Sequence, residues 1–161
     1  MSVERVREYL AQYNRAQDVR EFEVSSATVA LAAEALAVEP ARIAKTLSFY
    51  GDERHPCILV VAAGDAKVDN GKFKKQFGHK ARMIAAQEVE ALTGHAPGGV
   101  CPFANPEGVY TVLDISLKRF DTVFPACGSG NSAIEMDMQT LYACARAQGW
   151  VDVCKAWQQE A

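Results

Sequence analysis

Apolar residues recur at helical spacing at the start of the chain and again in several later segments. Val3, Val6, Leu10 and Tyr13 fall on one face of a helix, which predicts an amphipathic helix over 2–14. Similar spacing, local composition and capping residues predict further helices over 27–37, 40–44, 70–77, 86–92 and 138–147. No repeat or low-complexity tract interrupts these segments.

Residues that favour β-structure fill the middle of the chain. Segments 45–50 and 57–63 flank a turn at 51–54, which predicts a hairpin or an adjacent strand pair. Shorter strands are predicted over 82–85, 109–115, 122–126 and 133–136. Because strands and helices do not alternate regularly, we expect an α+β fold: a mixed, mostly antiparallel, barrel-like sheet with surrounding helices. We expect residues 1–161 to form a single domain.

Composition places the chain among ordinary globular proteins, with 49% hydrophobic and 23% charged residues. No apolar run approaches the length of a membrane span, and the first residues lack the apolar stretch of a secretory signal. We therefore expect a cytoplasmic location. The five cysteines are odd in number and scattered, and the three histidines lack metal-ligand spacing. Reduced thiols and no metal site are the expectation.

The charge distribution is uneven, although the net charge is only −3. A basic stretch opposed only by Asp69 contains Lys67, Lys72, Lys74, Lys75, Lys80 and Arg82. A basic face of this kind attracts a polyanion such as RNA. A solvated lysine-rich helix is the alternative, and the charge pattern leaves both interpretations open.

Residues 94–108 hold four glycines and three prolines, which predicts a long loop. Gly98 and Gly99 lack side chains, so their backbone is able to approach a ligand closely. Pro102 and Pro106 stiffen the end of the loop. Backbone N–H groups in such a loop are suited to stabilise a developing oxyanion. A plain surface turn is the alternative.

Two further residues have chemical potential. Lys45 stands among apolar neighbours, so it either points to solvent or reaches into a cleft as an anion anchor. Cys101 would be a nucleophile only if a base such as His95 or His79 activated it, and no cysteine-hydrolase signature surrounds it. No catalytic triad or phosphate-binding glycine loop is present, and Gly128 belongs to a tight turn. No cofactor is expected.

Several segments, in order and spacing, resemble the YbaK family of editing domains associated with prolyl-tRNA synthetase. The resemblance covers residues 22–142. It includes Ala-Lys-Thr-Leu at 44–47, Gly-Gly-Val-Cys-Pro at 98–102, and the segments 112–117 and 126–135. The loop contains the family's Gly-x-x-x-Pro pattern, with Cys101 where serine is common.

The resemblance implies a mixed α/β barrel that hydrolyses mischarged transfer RNA in trans, typically alanine or cysteine attached to proline tRNA. Mischarged tRNA is the implied partner, with prolyl-tRNA synthetase as a further candidate and no DNA or membrane. The implied catalytic positions are Lys45, Gly98, Gly99 and Pro102. The implied substrate-binding positions are Thr46, Val100, Cys101 and Gly128.

These residues suggest a mechanism that needs no strong base. The amides of Gly98 and Gly99 would hold the ester carbonyl, and Lys45 would anchor the terminal adenosine or its phosphate. Water, helped by a ribose hydroxyl, or a substrate thiol would attack, and pocket size would select small amino acids. The alternatives are a non-catalytic module that binds tRNA or a synthetase, and a thiol-dependent hydrolase of another ester.

Overall fold

The structure is a computed structural model that describes residues 2–158. Its helices are α1 (Ser2–Ala11), α2 (Val29–Leu36), α3 (Asn70–Phe77), α4 (Ala86–Thr93) and α5 (Met138–Cys144). Its strands are β1 (Arg20–Glu21), β2 (Ile43–Tyr50), β3 (Cys57–Ala63), β4 (Lys67–Val68), β5 (Val109–Asp114), β6 (Thr122–Pro125), β7 (Ser132–Ala133), β8 (Met136–Asp137), β9 (Trp150–Val151) and β10 (Cys154–Lys155). Within these residues, no helix is long and apolar enough to span a membrane.

The main sheet is a curled, six-stranded half-barrel in the order β8–β6–β2–β3–β5–β9. Within it, β2–β3 and β6–β8 are antiparallel, and the other three pairings are parallel. Two small antiparallel sheets, β1–β7 and β4–β10, complete the fold. The prediction of a mixed α+β fold is confirmed. Within the main sheet parallel pairings outnumber antiparallel ones, and antiparallel pairings form the majority only when the two small sheets are included.

The central hairpin agrees with its prediction, and β2 begins two residues before the predicted start at residue 45. Ile43 and Ala44 are strand residues because they pair with β6. The helix predicted over 40–44 is accordingly a 3-10 turn that ends at Arg42.

Other boundaries differ because short elements depend on distant partners. The predicted strand at 82–85 is reduced to a single bridge from Met83 to Phe49. The predicted strand at 133–136 divides into β7, which pairs with β1, and β8, which pairs with β6. The first and last predicted helices end early, at Ala11 and Cys144.

Helix α3 has the predicted bounds, because capping residues fix both of its ends. The Asp69 carboxylate accepts the N–H of Lys72 at 2.9 Å, and Gly78 takes a φ of +84° that favours glycine. For α2, Thr28 is the capping residue, since its hydroxyl accepts the N–H of Leu31.

Strand β3 is buried along its whole length because both faces of the sheet are covered. On one face Val61 and Ala63 belong to a core cluster with Leu10 and Phe103. On the other, Val60 and its alternate neighbours pack around Phe73 of α3. This double coverage places the neighbouring strand β2 at the border of the core, where the candidate site lies.

Candidate active site

The outer edge of β2 changes partner along its length. At one end it pairs with β6 through Ile43 and Ala44, which lie opposite Phe124 and Pro125, and the pairing stops there. At the other end Tyr50 donates to the carbonyl of Arg82 at 2.9 Å. Among residues 2–158, no strand covers this edge between the two contacts.

A cavity of about 410 Å³ lies at this uncovered edge. Its walls come from the start of α2, from residues 83–89, from the glycine-rich loop, and from β6 to β7. Of the sequence-predicted site residues, the cavity brings together Lys45, Thr46, Gly98 and Val100. Gly99, Cys101, Pro102 and Gly128 are buried behind this surface and do not line it.

Thr46 presents main-chain polar groups to the cavity. At the same edge of β2, the carbonyl of Ser48 accepts the N–H of Ile84, and the N–H of Tyr50 is also bonded. Because main-chain groups alternate in direction along a strand, the N–H and C=O of Thr46 point to this edge as well. The Oγ1 atom of Thr46 is also buried, and it has no hydrogen-bond partner within residues 2–158. A buried hydroxyl without a partner is costly in a folded protein, and this distinguishes Thr46 from the other side chains of β2.

Lys45 alternates with Thr46, so its side chain leaves β2 on the opposite face. Its Nζ atom donates to the carbonyl of Gly64 at 3.4 Å and to the carbonyl of Ala66. Burial lowers the pKa of Lys45, while nearby Cys154 and Asp65 act in the opposite direction. Two neutral carbonyls therefore hold the amine at the end of β3.

The glycine-rich loop begins with a tight turn over residues 96–99. Pro97 precedes Gly98, which has a φ of +90°, and the N–H of Gly99 donates to the carbonyl of Ala96 at 3.0 Å. These are the features of a type II turn. The N–H of Gly99 is thus used within the turn, contrary to the expectation that it holds an ester carbonyl. Among residues 2–158, the N–H groups of Gly98 and Val100 have no such acceptor.

Gly99 has a packing role instead. A Cβ atom at this position would lie 2.7 Å from the carbonyl oxygen of Gly128, closer than real Cβ contacts. Gly128 itself has a φ of +94°. Because neither residue has a side chain, the backbone at Gly99 packs directly against the backbone at Gly128, on the side of the loop away from the cavity.

Polar side chains fix the rest of the loop. Asn105 donates from Nδ2 to the carbonyl of Thr93 at 2.8 Å and to that of Cys101 at 3.0 Å. Arg5 of α1 donates to the carbonyl of Gly94 at 3.1 Å. Sequence reasoning missed both residues, because nothing local in their patterns shows which distant carbonyls they meet.

Cys101 is not placed to act as a nucleophile or to touch a substrate. Its thiol is fully buried, and burial raises the pKa of Cys101 to about 12. The nearby His95 Nε2 lies 3.4 Å from the sulfur but only 2.7 Å from the carbonyl of Phe103. That carbonyl accepts the Nε2 proton, so this nitrogen is unavailable as a base for the thiol.

The predicted RNA-binding lysines lie outside the cavity. Lys72 donates to the Asp152 carboxylate at 3.0 Å and to the carbonyl of Cys154 at 2.9 Å, so it holds the C-terminal segment in place. The other four are exposed: Lys67 on β4, Lys74 and Lys75 on α3, and Lys80 after it.

Comparisons with known proteins agree with this architecture. The family model described as "Aminoacyl-tRNA editing domain" matches residues 23–143. A protein named YwhH from Bacillus subtilis is 54% identical over 98% of this chain and 100% of its own length. The Enterococcus faecalis protein named "Putative Cys-tRNA(Pro)/Cys-tRNA(Cys) deacylase EbsC" is 27% identical over 72% of this chain and 71% of its own.

A solved structure described as "a putative trans-editing enzyme for prolyl tRNA synthetase" superposes with a TM-score of 0.85. It is 29% identical, and the alignment covers 96% of this chain and 97% of that one. The fold is thus that of a tRNA editing domain. The chain belongs to the aminoacyl-tRNA editing domain family.

The burial of the thiols leads to a first prediction. All five cysteines are buried, and burial raises the pKa of Cys57, Cys101 and Cys154 to about 12. A disulfide reagent at pH 8 should therefore react negligibly with the native protein and with five thiols after denaturation. Rapid native labelling of Cys101, located by mass spectrometry, would revive the thiol-nucleophile interpretation.

Proposed function

We propose that this protein is a trans-editing aminoacyl-tRNA deacylase that hydrolyses the ester of mischarged tRNA, with alanyl- or cysteinyl-tRNA(Pro) as substrate. The main support is the cavity at the open edge of β2, where Lys45, Thr46, Gly98 and Val100 meet in an editing-family chain. The names of the deacylase and trans-editing relatives support the same activity.

The cavity suits an aminoacyl group joined to a terminal nucleoside. Its volume falls within the usual range for small-ligand sites, and its lining combines apolar side chains with a few polar groups. Val29, Ala32, Val89 and Val100 form part of the apolar surface. A pocket of this kind selects by size, since a side chain too large for the cavity would clash with its walls.

The chemistry needs positioning more than a strong base, because an aminoacyl ester is already activated. The N–H groups of Gly98 and Val100 are the available donors for the oxyanion that forms when the carbonyl is attacked. Water adds to the carbonyl carbon, the ester C–O bond breaks, and the departing ribose oxygen takes a proton. The neighbouring ribose hydroxyl assists the attack of water, or a cysteine substrate's own thiol adds to the carbonyl carbon in place of water.

Lys45 acts in this proposal as an anchor. Its amine is held by carbonyl oxygens, which carry no full charge to neutralise it, and so it remains available to the phosphate or ribose of the terminal adenosine. The exposed lysines Lys67, Lys74, Lys75 and Lys80 would contact the acceptor end, and prolyl-tRNA synthetase would be a further partner. Lys72, with its two internal contacts, is the weakest of the predicted RNA ligands.

The activity itself is tested on a panel of alanyl-, cysteinyl- and prolyl-tRNA(Pro). We expect release of alanine or cysteine well above the buffer rate, with prolyl-tRNA spared, as measured by loss of acid-precipitable label. Binding of tRNA without release of any amino acid would contradict the proposal and favour the non-catalytic module.

Cys101→Ser is expected to retain activity, since the buried thiol takes no part.

A glycine substitution tests the loop. Gly99→Ala places a Cβ atom 2.7 Å from the carbonyl oxygen of Gly128, so the loop must shift. We expect kcat/KM for mischarged tRNA to fall roughly 10- to 100-fold, because small displacements of a positioned loop are costly. Gly149→Ala is the matched control, since its Cβ meets nothing within 4 Å. Equal activity of both folded variants would exclude this loop from the site.

The anchoring role of Lys45 is tested with Lys45→Met, which keeps an apolar stem and removes the charge. We expect KM to rise and the slope of log KM against log salt to shrink by about 0.7, the value for one contact to a single-stranded phosphate. The control is Lys118→Met, which removes a charge stacked 4.5 Å above the Trp150 ring. An unchanged salt slope in Lys45→Met would contradict the anchoring role.

A further inference from the structure

The small sheet formed by β4 and β10 places two lysines side by side. Its antiparallel register sets Lys67 opposite Lys155 and Val68 opposite Cys154. Cys154 is buried in the core cluster around Phe73, and Val68 packs against that cluster. Because side chains alternate along a strand, Lys67 and Lys155 share the outer face, where both are exposed.

Like charges placed directly opposite each other in a sheet are destabilising. Neither lysine has a salt bridge among residues 2–158. The nearby Asp65 carboxylate is engaged by Arg119 at 2.6 and 2.9 Å, so it does not neutralise them. The Asp69 carboxylate interacts with the charge of Lys155, and it also caps α3. The outer face of this sheet therefore keeps a concentrated positive charge.

This charge lies close to the cavity. Strand β4 directly follows the turn whose carbonyls, at Gly64 and Ala66, hold the Lys45 amine. Burial is the main cause that lowers the pKa of the Lys45 amine, and the nearby positive charge of Lys67 lowers it further. Lys45, Lys67 and Lys155 thus form a series of cations that begins at the cavity wall and continues along the β4–β10 sheet.

We propose that the Lys67–Lys155 pair is a binding surface for the tRNA phosphates that precede the terminal adenosine. The inference rests on the proposed function, since it places the terminal nucleoside in the cavity. It also assigns an RNA contact to Lys155, which lies far in sequence from the basic stretch at 67–82. Phosphate contacts of this kind position a nucleic acid without reading its bases, which suits a single-stranded end.

The test compares Lys67→Ala, Lys155→Ala and the double variant, with Lys118→Ala as a charge-matched control outside this surface. The first probe is a fluorescent RNA oligonucleotide ending in CCA, and its affinity is measured by anisotropy at several salt concentrations. We expect each single variant to weaken binding roughly threefold at low salt and to reduce the salt slope by about 0.7. The double variant should lose about twice that slope.

The second probe separates RNA binding from catalysis. We expect KM for mischarged tRNA to rise in the two lysine variants by a larger factor than KM for an alanyl ester of adenosine alone, which lacks the phosphates that these lysines would contact. The free energy of unfolding should stay equal or rise slightly, because each substitution removes a like-charge contact.

Three outcomes would overturn the inference. Unchanged oligonucleotide affinity in the double variant would exclude the surface, and an equal loss on the adenosine ester would show a structural effect. Lys74→Ala and Lys75→Ala are measured alongside, and a loss confined to these two variants would place the RNA on α3 instead. Salt-dependent binding that needs Lys67 and Lys155, in a protein that hydrolyses no ester, would support the surface while contradicting the deacylase proposal.

Discussion

The interruption of pairing along β2 is the constraint on which the candidate site depends. The ladder with β6 ends at Ala44, opposite Pro125, and the next contact on that edge comes only with the Phe49–Met83 bridge. A sheet edge left open inside a folded domain exposes unpaired main-chain groups, which proteins normally cover. Here the glycine-rich loop and the start of α2 surround the gap without filling it, so the open edge becomes the floor of a cavity.

The loop facing that gap is held by backbone contacts and by one amide side chain. Gly99 packs against Gly128, and its N–H donates to the carbonyl of Ala96. The Asn105 side chain donates both to the carbonyl of Cys101 and to the carbonyl of Thr93 at the end of α4. These contacts leave Gly98 and Val100 facing the cavity. They also explain why cysteine is compatible with position 101, since the side chain lies in the core.

The sequence was informative where structure is set locally. The β2–β3 hairpin follows from two runs of β-formers, and α3 follows from Asp69 and Gly78 at its ends. Prediction merged β7 and β8 into one strand over 133–136 and missed β10, because these two-residue strands depend on partners outside their own segment. The same distinction applies to the candidate site. Motif resemblance indicated Lys45 and Gly98. The hydrogen bond made by the N–H of Gly99 and the pairing of Lys155 with Lys67 are visible only in the three-dimensional structure.

Lys45 shows how the open edge and the charge distribution act together. An amine pointing to bulk water would gain little from an anion, because water screens the pair. Partial burial against the carbonyls of Gly64 and Ala66 lowers that screening while leaving the charge without a carboxylate in direct contact. The carbonyl contacts also fix where the amine lies, so less side-chain freedom is lost when an anion arrives. In its proposed role as an anchor, Lys45 would gain specificity from this fixed position, and the exposed lysines of the adjoining sheet would extend its positive field toward solvent.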